Sequence, residues 1–460
     1  MTYNSDNQYR CTIIRGKAKN ALDDLLPAYA QIINEITPIE KDIFKVQFNE
    51  RLKRILPRIS KKTLDNHRTE IAGKLFGLFY NENGVIYFSD RGKKFLEDGD
   101  QPSFFKEMCF KLQFPNGMDK IQTLQNNINN KVKIRPLCFV AKLLLEANEC
   151  QIILNQNEIG YYVLNNLDVL QGIATAAEVI DKIISDRANS ISKELDSGSR
   201  AKQHIREQLN YLELANLIKI SGGDIYPNLL EKSLLLKFSE YSTHLSINPY
   251  EYNLSDDTSK IKFYHDWDIF YQSLTPNTDI DFTTSLSALE YKIPKEDTTS
   301  FNYPKKLNTV ELGDEGEKLV YQYELDRVSE FNRRLTNKVH MFGKTKGLGY
   351  DIQSIFANES DNPEFVKYIE VKSTKRVTKP NFEEKEWQDV LNITRNEWVA
   401  AQQWGKSYEI YRVYFTQDGP MMIIIKNPFK KFEEEIISVF PVNYRLEFNG
   451  LSIDDRREFE

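Results

Sequence analysis

The sequence has few of the residues that build disulfide scaffolds, zinc cages or histidine-based catalytic sites. Its 460 residues include four cysteines, none of them in a C-x-x-C pair, and five dispersed histidines. This composition argues against a structural zinc site, a disulfide framework and a histidine-dependent nucleophile. The sequence also has no Walker-type phosphate loop, so nucleotide hydrolysis is not indicated.

Long apolar runs are missing as well. No stretch approaches the ~20 apolar residues that a membrane-spanning helix needs, and the polar segment Met1–Gln8 does not resemble a signal peptide. We therefore expect a reduced, cytoplasmic protein of bacterial or archaeal type, without a membrane partner. The net charge of −6 does not exclude a DNA partner, because local basic patches set nucleic-acid affinity in a large protein.

The most informative pattern lies in the C-terminal third. Asp351 begins one short strand-like stretch, and the alternating run Val366–Lys372 carries Glu370 and Lys372 two positions apart. Side chains two apart share a strand face, and the turn-rich segment Ala357–Glu364 predicts a hairpin with Asp351 and Glu370 near the same open end. Two acids and a lysine on one face suit metal-assisted phosphodiester cleavage, in which the metal polarises the phosphate and lowers the pKa of a bound water.

Spacing alone is weak support, because Glu-x-Lys occurs three times, at Glu290, Glu370 and Glu383. Only Glu370 lies in an alternating run with β-branched and aromatic neighbours. The competing interpretation is a solvated edge hairpin with ordinary surface charges.

Predicted helices and strands before and after the hairpin support the interpretation of this region as a catalytic site. A helix is predicted from Glu311 to Leu325, with Glu317 in its first turn, and a capped helix from Ile393 to Gly405. Two strands should follow, at Tyr408–Phe415 and Met421–Lys426. The predicted order is helix, strand, strand, helix, strand, strand.

The region from about residue 311 to 426 resembles the PD-(D/E)xK nuclease superfamily, and within it the NO VEIN-type C-terminal domain of bacterial restriction and defence proteins. Four motifs carry the resemblance: Gly313-x-x-Gly-Glu317, Gly349-Tyr-Asp-Ile352, Tyr368-Ile-Glu-Val-Lys-Ser-Thr374 and Thr394-Arg-Asn-Glu-Trp398. Tyr350 stands where the superfamily often has proline.

The resemblance implies a mixed sheet flanked by helices and a Mg²⁺-dependent endonuclease site using one or two ions. Asp351, Glu370 and the carbonyl of Val371 would bind the metal. Lys372 would be the catalytic lysine that positions the attacking water, and Glu317 would supply an extra carboxylate. The role of Glu397, which follows in the fourth motif, stays open.

The N-terminal half predicts two winged helix-turn-helix units, at about residues 40–100 and 130–230. In the first, an apolar-periodic helix at Thr69–Phe79 leads into short extended segments around Gly84, and in the second a helix at Ile205–Leu217 leads into such segments around Gly222. Such units bind DNA through a helix in the major groove and a wing on the backbone. They also serve as protein-binding or structural modules, and this alternative stays open.

Basic residues concentrate between residues 50 and 74, where eight basic and three acidic residues give a net charge of +5. The segment has helical character, so it is either a solvated helix face or a phosphate-contacting surface. We predict DNA contacts from this segment and from the basic stretch after the hairpin, at Arg51, Lys53, Arg54, Arg58, Lys61, Lys62, Lys375 and Arg376.

The sequence thus predicts a multidomain α+β protein with a mostly helical, winged-helix N-terminal region and a C-terminal mixed sheet flanked by helices. The predicted divisions are 1–125, 126–240, a connector at 241–308 whose aromatic residues pack, and a nuclease domain at 309–460.

The expected function is a Mg²⁺-dependent, type II-like restriction endonuclease that acts on double-stranded DNA. A homodimer on DNA and a companion methyltransferase or restriction subunit are the expected protein partners. The alternatives are a non-cleaving or partner-dependent DNA-binding subunit, and a modification-dependent or repair nuclease.

Overall fold

The chain forms two compact units. The computed structural model describes residues 3–12, 18–195, 200–276, 280–293, 312–343, 347–358, 362–384, 387–441 and 444–458, with side chains except at 312 and 440–447. Unit 1 comprises Met1–Glu50, Ile59–Phe95 and Gln101–Lys306, and unit 2 comprises Arg51–Arg58, Leu96–Asp100 and Leu307–Glu460. The predicted boundary between 308 and 309 lies outside the described residues, and the four-part division stays a prediction.

Helices dominate the first two thirds of the chain, as predicted. They are α1 (Lys19–Ile36), α2 (Lys41–Ile55), α3 (Lys61–Asn66), α4 (Asp90–Asp98), α5 (Gln101–Lys111), α6 (Ile121–Asn129), α7 (Pro136–Glu149), α8 (Gln156–Glu158), α9 (Leu167–Leu170), α10 (Ala176–Ala188), α11 (Arg200–Leu214), α12 (Lys232–Glu240), α13 (Asp257–Gln272) and α14 (Leu286–Leu289). No described helix combines the length and the apolar composition that crossing a bilayer requires.

A first winged helix is built from α1, α2, α3 and a three-stranded sheet in the order β1-β3-β2, with strands at Ile39–Glu40, Phe79–Glu82 and Val85–Phe88 for β1, β2 and β3. The wing turns at Asn83 and Gly84, which both have positive φ and therefore suit a tight hairpin turn. The third helix begins at Lys61, earlier than the predicted Thr69, because Ser60 caps it by accepting from the Thr63 amide. It continues as a π-helix over His67–Leu75.

A second winged helix repeats this arrangement with α7, α8 and α11. Its strands are β4 (Leu154–Asn155), β5 (Ile218–Ser221) and β6 (Asp224–Pro227), in the order β4-β6-β5. A π-helix at Ile159–Leu164 extends α8, and α9 and α10 are inserted before α11. The predicted helix, glycine turn and return strand are confirmed in both winged helices.

The predicted connector also packs as expected. Three aromatic residues of α13, Phe263, Trp267 and Tyr271, are each at most 2% exposed. The described part of the connector is therefore built into unit 1.

Unit 2 is organised around a six-stranded mixed sheet in the order β15-β12-β11-β9-β8-β7. Its strands are β7 (His340–Met341), β8 (Ile352–Ile355), β9 (Val366–Lys375), β11 (Tyr408–Thr416), β12 (Gly419–Lys426) and β15 (Asp455–Glu458). Only β9 and β11 pair in parallel, with Glu370 opposite Ile410, because the helix α16 (Arg395–Trp404) crosses over between them. The predicted hairpin, crossover helix and following strand pair are confirmed.

Helices cover the two faces of this sheet. On one face, α15 (Leu312–Asn332) approaches β9 so closely that a Cβ atom at Gly316 would lie 1.7 Å from Oγ of Ser373. On the other face, α16 and the sheet enclose a core that includes Trp398, Tyr408 and Ile410. A second sheet in the order β10-β14-β13 and a short helix complete the unit: β10 (Asp389–Ile393), α17 (Pro428–Glu433), β13 (Ser438–Pro441) and β14 (Tyr444–Phe448).

Candidate active site

The hairpin β8–β9 brings Asp351 and Glu370 to the same end of the sheet. Ile352 pairs with Ile369, so Asp351 directly precedes the paired region. The Val371 amide donates a hydrogen bond to Oδ2 of Asp351 at 2.8 Å. This bond holds the Asp351 carboxylate against β9, next to Glu370.

Lys372 joins two carboxylates in one cluster. Its Nζ atom lies 2.6 Å from Oε1 of Glu370 and 2.9 Å from Oε2 of Glu397. The side chains of Glu370, Glu397 and Lys372 are 4%, 14% and 22% exposed, so these ion pairs are largely shielded from water. We call Asp351, Glu370, Lys372 and Glu397 the acidic cluster.

Burial and like charge strain the ionised state of this cluster. Burial raises the pKa of Glu370 well above its usual value, and the carboxylates of Asp351 and Glu397 raise it further, against the lowering effect of Lys372. Burial also raises the pKa of Asp351. Burial alone would lower the pKa of Lys372, but Glu370 and Glu397 outweigh it and raise that pKa, which keeps the lysine charged.

Glu397 has a second role in the same place. Its Oε2 atom accepts from the Thr394 amide at 2.8 Å, while its own amide donates to Oγ1 of Thr394 at 3.3 Å. This capping box begins α16. The helix start therefore holds the Glu397 carboxylate beside Lys372, a role that the sequence left open.

A glycine lets the loop carrying Asp351 come close to α16. Gly349 has φ +77°, and a Cβ atom there would lie 2.7 Å from the main-chain oxygen of Asn396. Its carbonyl accepts from the Tyr408 hydroxyl at 2.8 Å. The neighbouring carboxylates of the cluster contribute to raising the pKa of Tyr408, after burial. Sequence reasoning did not single out Tyr408, which has the pattern of an ordinary strand residue.

Glu317 approaches this region from α15. A Cβ atom at Gly343 would lie 2.4 Å from its Oε2 atom, and the Gly343 amide donates to the main-chain oxygen of Asp351 at 3.3 Å. Glu317 thus contacts the loop that leads to the acidic cluster. Its predicted role as an extra carboxylate, like that of the Val371 carbonyl as a metal ligand, stays a prediction.

The donor set is compatible with Mg²⁺. Among the described residues there is no group of three or more His, Cys, Asp and Glu side chains arranged to hold a metal ion. Mg²⁺ does not need such a group, because it is commonly bound through one or two carboxylates plus waters and substrate phosphates. Asp351 and Glu370 supply two carboxylates, and burial disfavours the ionised form of both, a cost that a bound cation would offset.

The opposite face of the sheet carries a buried polar network that the sequence did not predict. Glu324 of α15 is fully buried and accepts from Lys367 at 3.0 Å, from Tyr411 at 2.7 Å and from Ser354 at 2.6 Å. Arg327 also donates to it at 2.6 Å. The network ties α15 to β8, β9 and β11, the strands that position the acidic cluster. Lys367 at a core-facing position was the only sequence signal for it.

The predicted DNA-contact residues fall into two groups. In α2, α3 and the segment between them, Lys53, Arg54, Arg58, Lys61 and Lys62 are exposed, and Arg51 is half-buried. Lys375 and Arg376 are instead 2% and 5% exposed. The Nε atom of Arg376 donates to the Thr378 carbonyl at 2.6 Å. Lys375 is buried because it is still part of β9, and the predicted phosphate contacts of this second pair stay a prediction.

Two known families match the sequence in different parts of the chain. Residues 3–268 match the family described as the N-terminal part of restriction endonuclease BpuJI. Residues 316–425 match the C-terminal domain of protein NO VEIN, which confirms the resemblance to the NO VEIN-type domain, while membership of the PD-(D/E)xK superfamily stays a prediction. No curated protein sequence matches the chain.

Among solved structures, the chain is similar to the BpuJ1 endonuclease binding domain, crystallised in complex with pyrene- and phenanthrene-modified DNA. The two are 49% identical with a TM-score of 0.58, and the match covers 59% of this chain and 100% of that one. The sequence motifs did not reveal this likeness, because they lie in the C-terminal region. Since residues 3–268 make up more than half of the 460 residues, the chain belongs to the family of the N-terminal domain of restriction endonuclease BpuJI.

Proposed function

We propose that this protein is a Mg²⁺-dependent, restriction-type DNA endonuclease with a PD-(D/E)xK site in unit 2. The observation that carries the proposal is the acidic cluster, in which Lys372 bridges Glu370 and Glu397 beside Asp351. When all four groups are ionised, three negative charges and one positive charge leave a net charge of −2. One divalent cation matches that charge.

The residues of the cluster would divide the reaction between them. Asp351, Glu370 and the Val371 carbonyl would hold the cation, and Glu317 is our candidate for an additional carboxylate. A bound Mg²⁺ polarises a phosphate oxygen and lowers the pKa of a coordinated water. Lys372, kept charged by its two carboxylate partners, would orient the attacking water and stabilise negative charge on the phosphate in the transition state.

We further propose that the N-terminal region, residues 3–268, recognises double-stranded DNA. Two features support this: the two winged helices, and the 49% identity to a binding domain that was crystallised on DNA. The exposed cations Lys53, Arg54, Arg58, Lys61 and Lys62 lie in and next to α3, the third helix of the first winged helix. In such units this helix enters the major groove, and flanking cations contact phosphates.

Cutting both strands of a duplex in one binding event takes two active sites. The described residues of one chain contain one acidic cluster of the kind described above. We therefore propose that two copies act together on DNA.

Incubation of the full-length protein with plasmid DNA tests the proposal. We expect cutting with Mg²⁺ and none with EDTA, and a mobility shift with DNA that weakens as salt rises. A mobility shift without cutting of modified or unmodified DNA would instead identify a DNA-binding subunit that needs partners for cleavage. Absence of both would contradict the proposal.

A further inference from the structure

Four aromatic rings form a continuous row on unit 2, next to the acidic cluster. The ring centroids of Trp404 and Tyr368 are 4.3 Å apart, those of Tyr368 and Tyr350 are 4.7 Å apart, and those of Tyr350 and Phe342 are 5.9 Å apart. We call these four residues the aromatic strip. It runs from the end of α16 across β9 to the loop before β8.

The strip and the acidic cluster share the same backbone segments. Tyr350 directly precedes Asp351, and Tyr368 lies two positions before Glu370 on the same face of β9. Two positions on a strand are separated by roughly 7 Å. A base attached to a phosphate at the cluster is therefore within reach of the rings.

The residues of the strip are partly exposed to solvent. Trp404 is 37% exposed, and Tyr350 and Tyr368 are half-buried against the core of unit 2. Leu348 and Val399 are exposed as well, at 37% and 47%. Tyr350 and Tyr368 therefore pack on the core with one side, and all four side chains of the strip remain partly accessible.

We infer that the aromatic strip stacks on an unpaired nucleobase next to the phosphate held at the acidic cluster. The inference rests on the proposed function, because that function delivers DNA to the cluster. Aromatic side chains bind bases by stacking without sequence preference. In an intact duplex both faces of a base are covered, so the ligand is a base that has left the helix.

Binding measurements in EDTA test this inference without any cleavage. Short labelled duplexes, fully paired or with a central unpaired bubble, are titrated with the full-length protein and followed by fluorescence anisotropy. We expect the wild type to prefer the bubble. Trp404→Ala should reduce that preference by on the order of tenfold, since stacking contributes about this much per base, and should leave affinity for paired DNA unchanged.

Two further variants guard against a folding artefact. Trp404→Phe keeps a stacking ring and should retain the preference. Phe365→Ala removes a ring that is 50% exposed just before β9, outside the strip, and should have no effect.

Three results would overturn the inference. The wild type could bind paired and bubble DNA equally, or Trp404→Ala could keep the full preference. Sedimentation could also show that Trp404→Ala dissociates a dimer without changing DNA affinity, which would make the strip an interface between copies. If the protein prefers bubble DNA but cuts no DNA, that result would contradict the proposed cleavage and leave the stacking inference standing.

Discussion

The Nζ atom of Lys372 lies 2.6 Å from Oε1 of Glu370, two positions earlier on the same face of β9. In this arrangement the lysine offsets the negative charge of Glu370. Burial and the nearby carboxylates of Asp351 and Glu397 disfavour the ionised form of that residue. Under the proposed function, a cation bound to Glu370 would take over that task and leave Lys372 available to water and phosphate. The cluster on its own carries an electrostatic cost, which a bound cation would offset.

Replacing Glu370 with Gln should stabilise the metal-free protein at alkaline pH. The folded-state pKa of Glu370 is raised by burial and by Asp351 and Glu397. Its contribution to stability is therefore fully present below the unfolded pKa and is lost as pH rises through the folded pKa. In EDTA at alkaline pH, thermal unfolding should give Glu370→Gln a free energy of unfolding about 1 kcal/mol higher than that of the wild type. This difference should disappear at acidic pH.

Mg²⁺ provides the control for this experiment. It should raise the melting midpoint of the wild type but not that of Glu370→Gln, because a ligand stabilises only the form that binds it. A variant that melts below the wild type at alkaline pH would contradict the electrostatic account.

Glu397 should act through its charge on Lys372 more than through its helix cap. Glu397→Gln can keep the capping hydrogen bonds but loses the charge, so we expect the cleavage rate to fall about 10–100-fold, as when residues that orient a site are removed. Thr394→Ala removes the cap and should cost about 1 kcal/mol of stability with a smaller loss of rate.

The chain offers a matched control in unit 1. Glu178 and Thr175 form the same capping box at the start of α10. Glu178→Gln should leave the cleavage rate unchanged. Equal losses of rate in Glu397→Gln and Thr394→Ala would show that the cap, and not the charge, matters.

The buried network under the sheet should be essential for the stability of unit 2. Lys367→Met leaves Glu324 without one of its buried cations and should cost about 3–5 kcal/mol in denaturant unfolding. Lys338→Met removes a lysine from the exposed pair with Glu364 and should cost about 0–1 kcal/mol. Similar losses in the two variants would mean that the network contributes no more than a surface ion pair.

The exposed cations near α3 should control the salt dependence of DNA binding. Replacing Lys53, Arg54, Arg58, Lys61 and Lys62 with Ala should weaken binding and lower the slope of log K against log salt by about 0.9 for each DNA phosphate that is no longer neutralised. Replacing Lys260 and Lys262 of α13 is the control. A slope that stays the same would make the basic segment an ordinary solvated helix face.

The sequence indicated the acidic cluster because its key residues lie on one strand with period two. The alternation through Glu370 and Lys372 predicts a shared face, and the hairpin turn brings Asp351 to it. The network around Glu324 could not be predicted in this way, because Glu324 and Lys367 are 43 positions apart and meet only through packing of α15 on the sheet. Neither the alternation nor the hairpin turn shows at which residue β9 ends.

The N-terminal fold was predictable to a similar degree. Glycine turns and apolar periodicity indicated both winged helices, since these are local features. The third helix of the first winged helix starts earlier than predicted because of the cap at Ser60, which is not part of the apolar pattern. The local sequence did not indicate that α9 and α10 are inserted into the second winged helix.

The most direct test of the central claim is the rate of Mg²⁺-dependent plasmid cutting by Lys372→Ala. The matched control is Lys292→Ala, which removes the lysine of another Glu-x-Lys triplet, at Glu290. We predict that Lys372→Ala loses cutting by about 100-fold or more while still binding DNA, and that Lys292→Ala cuts at the wild-type rate. Cutting by Lys372→Ala at the wild-type rate would contradict the assignment of the acidic cluster as the active site.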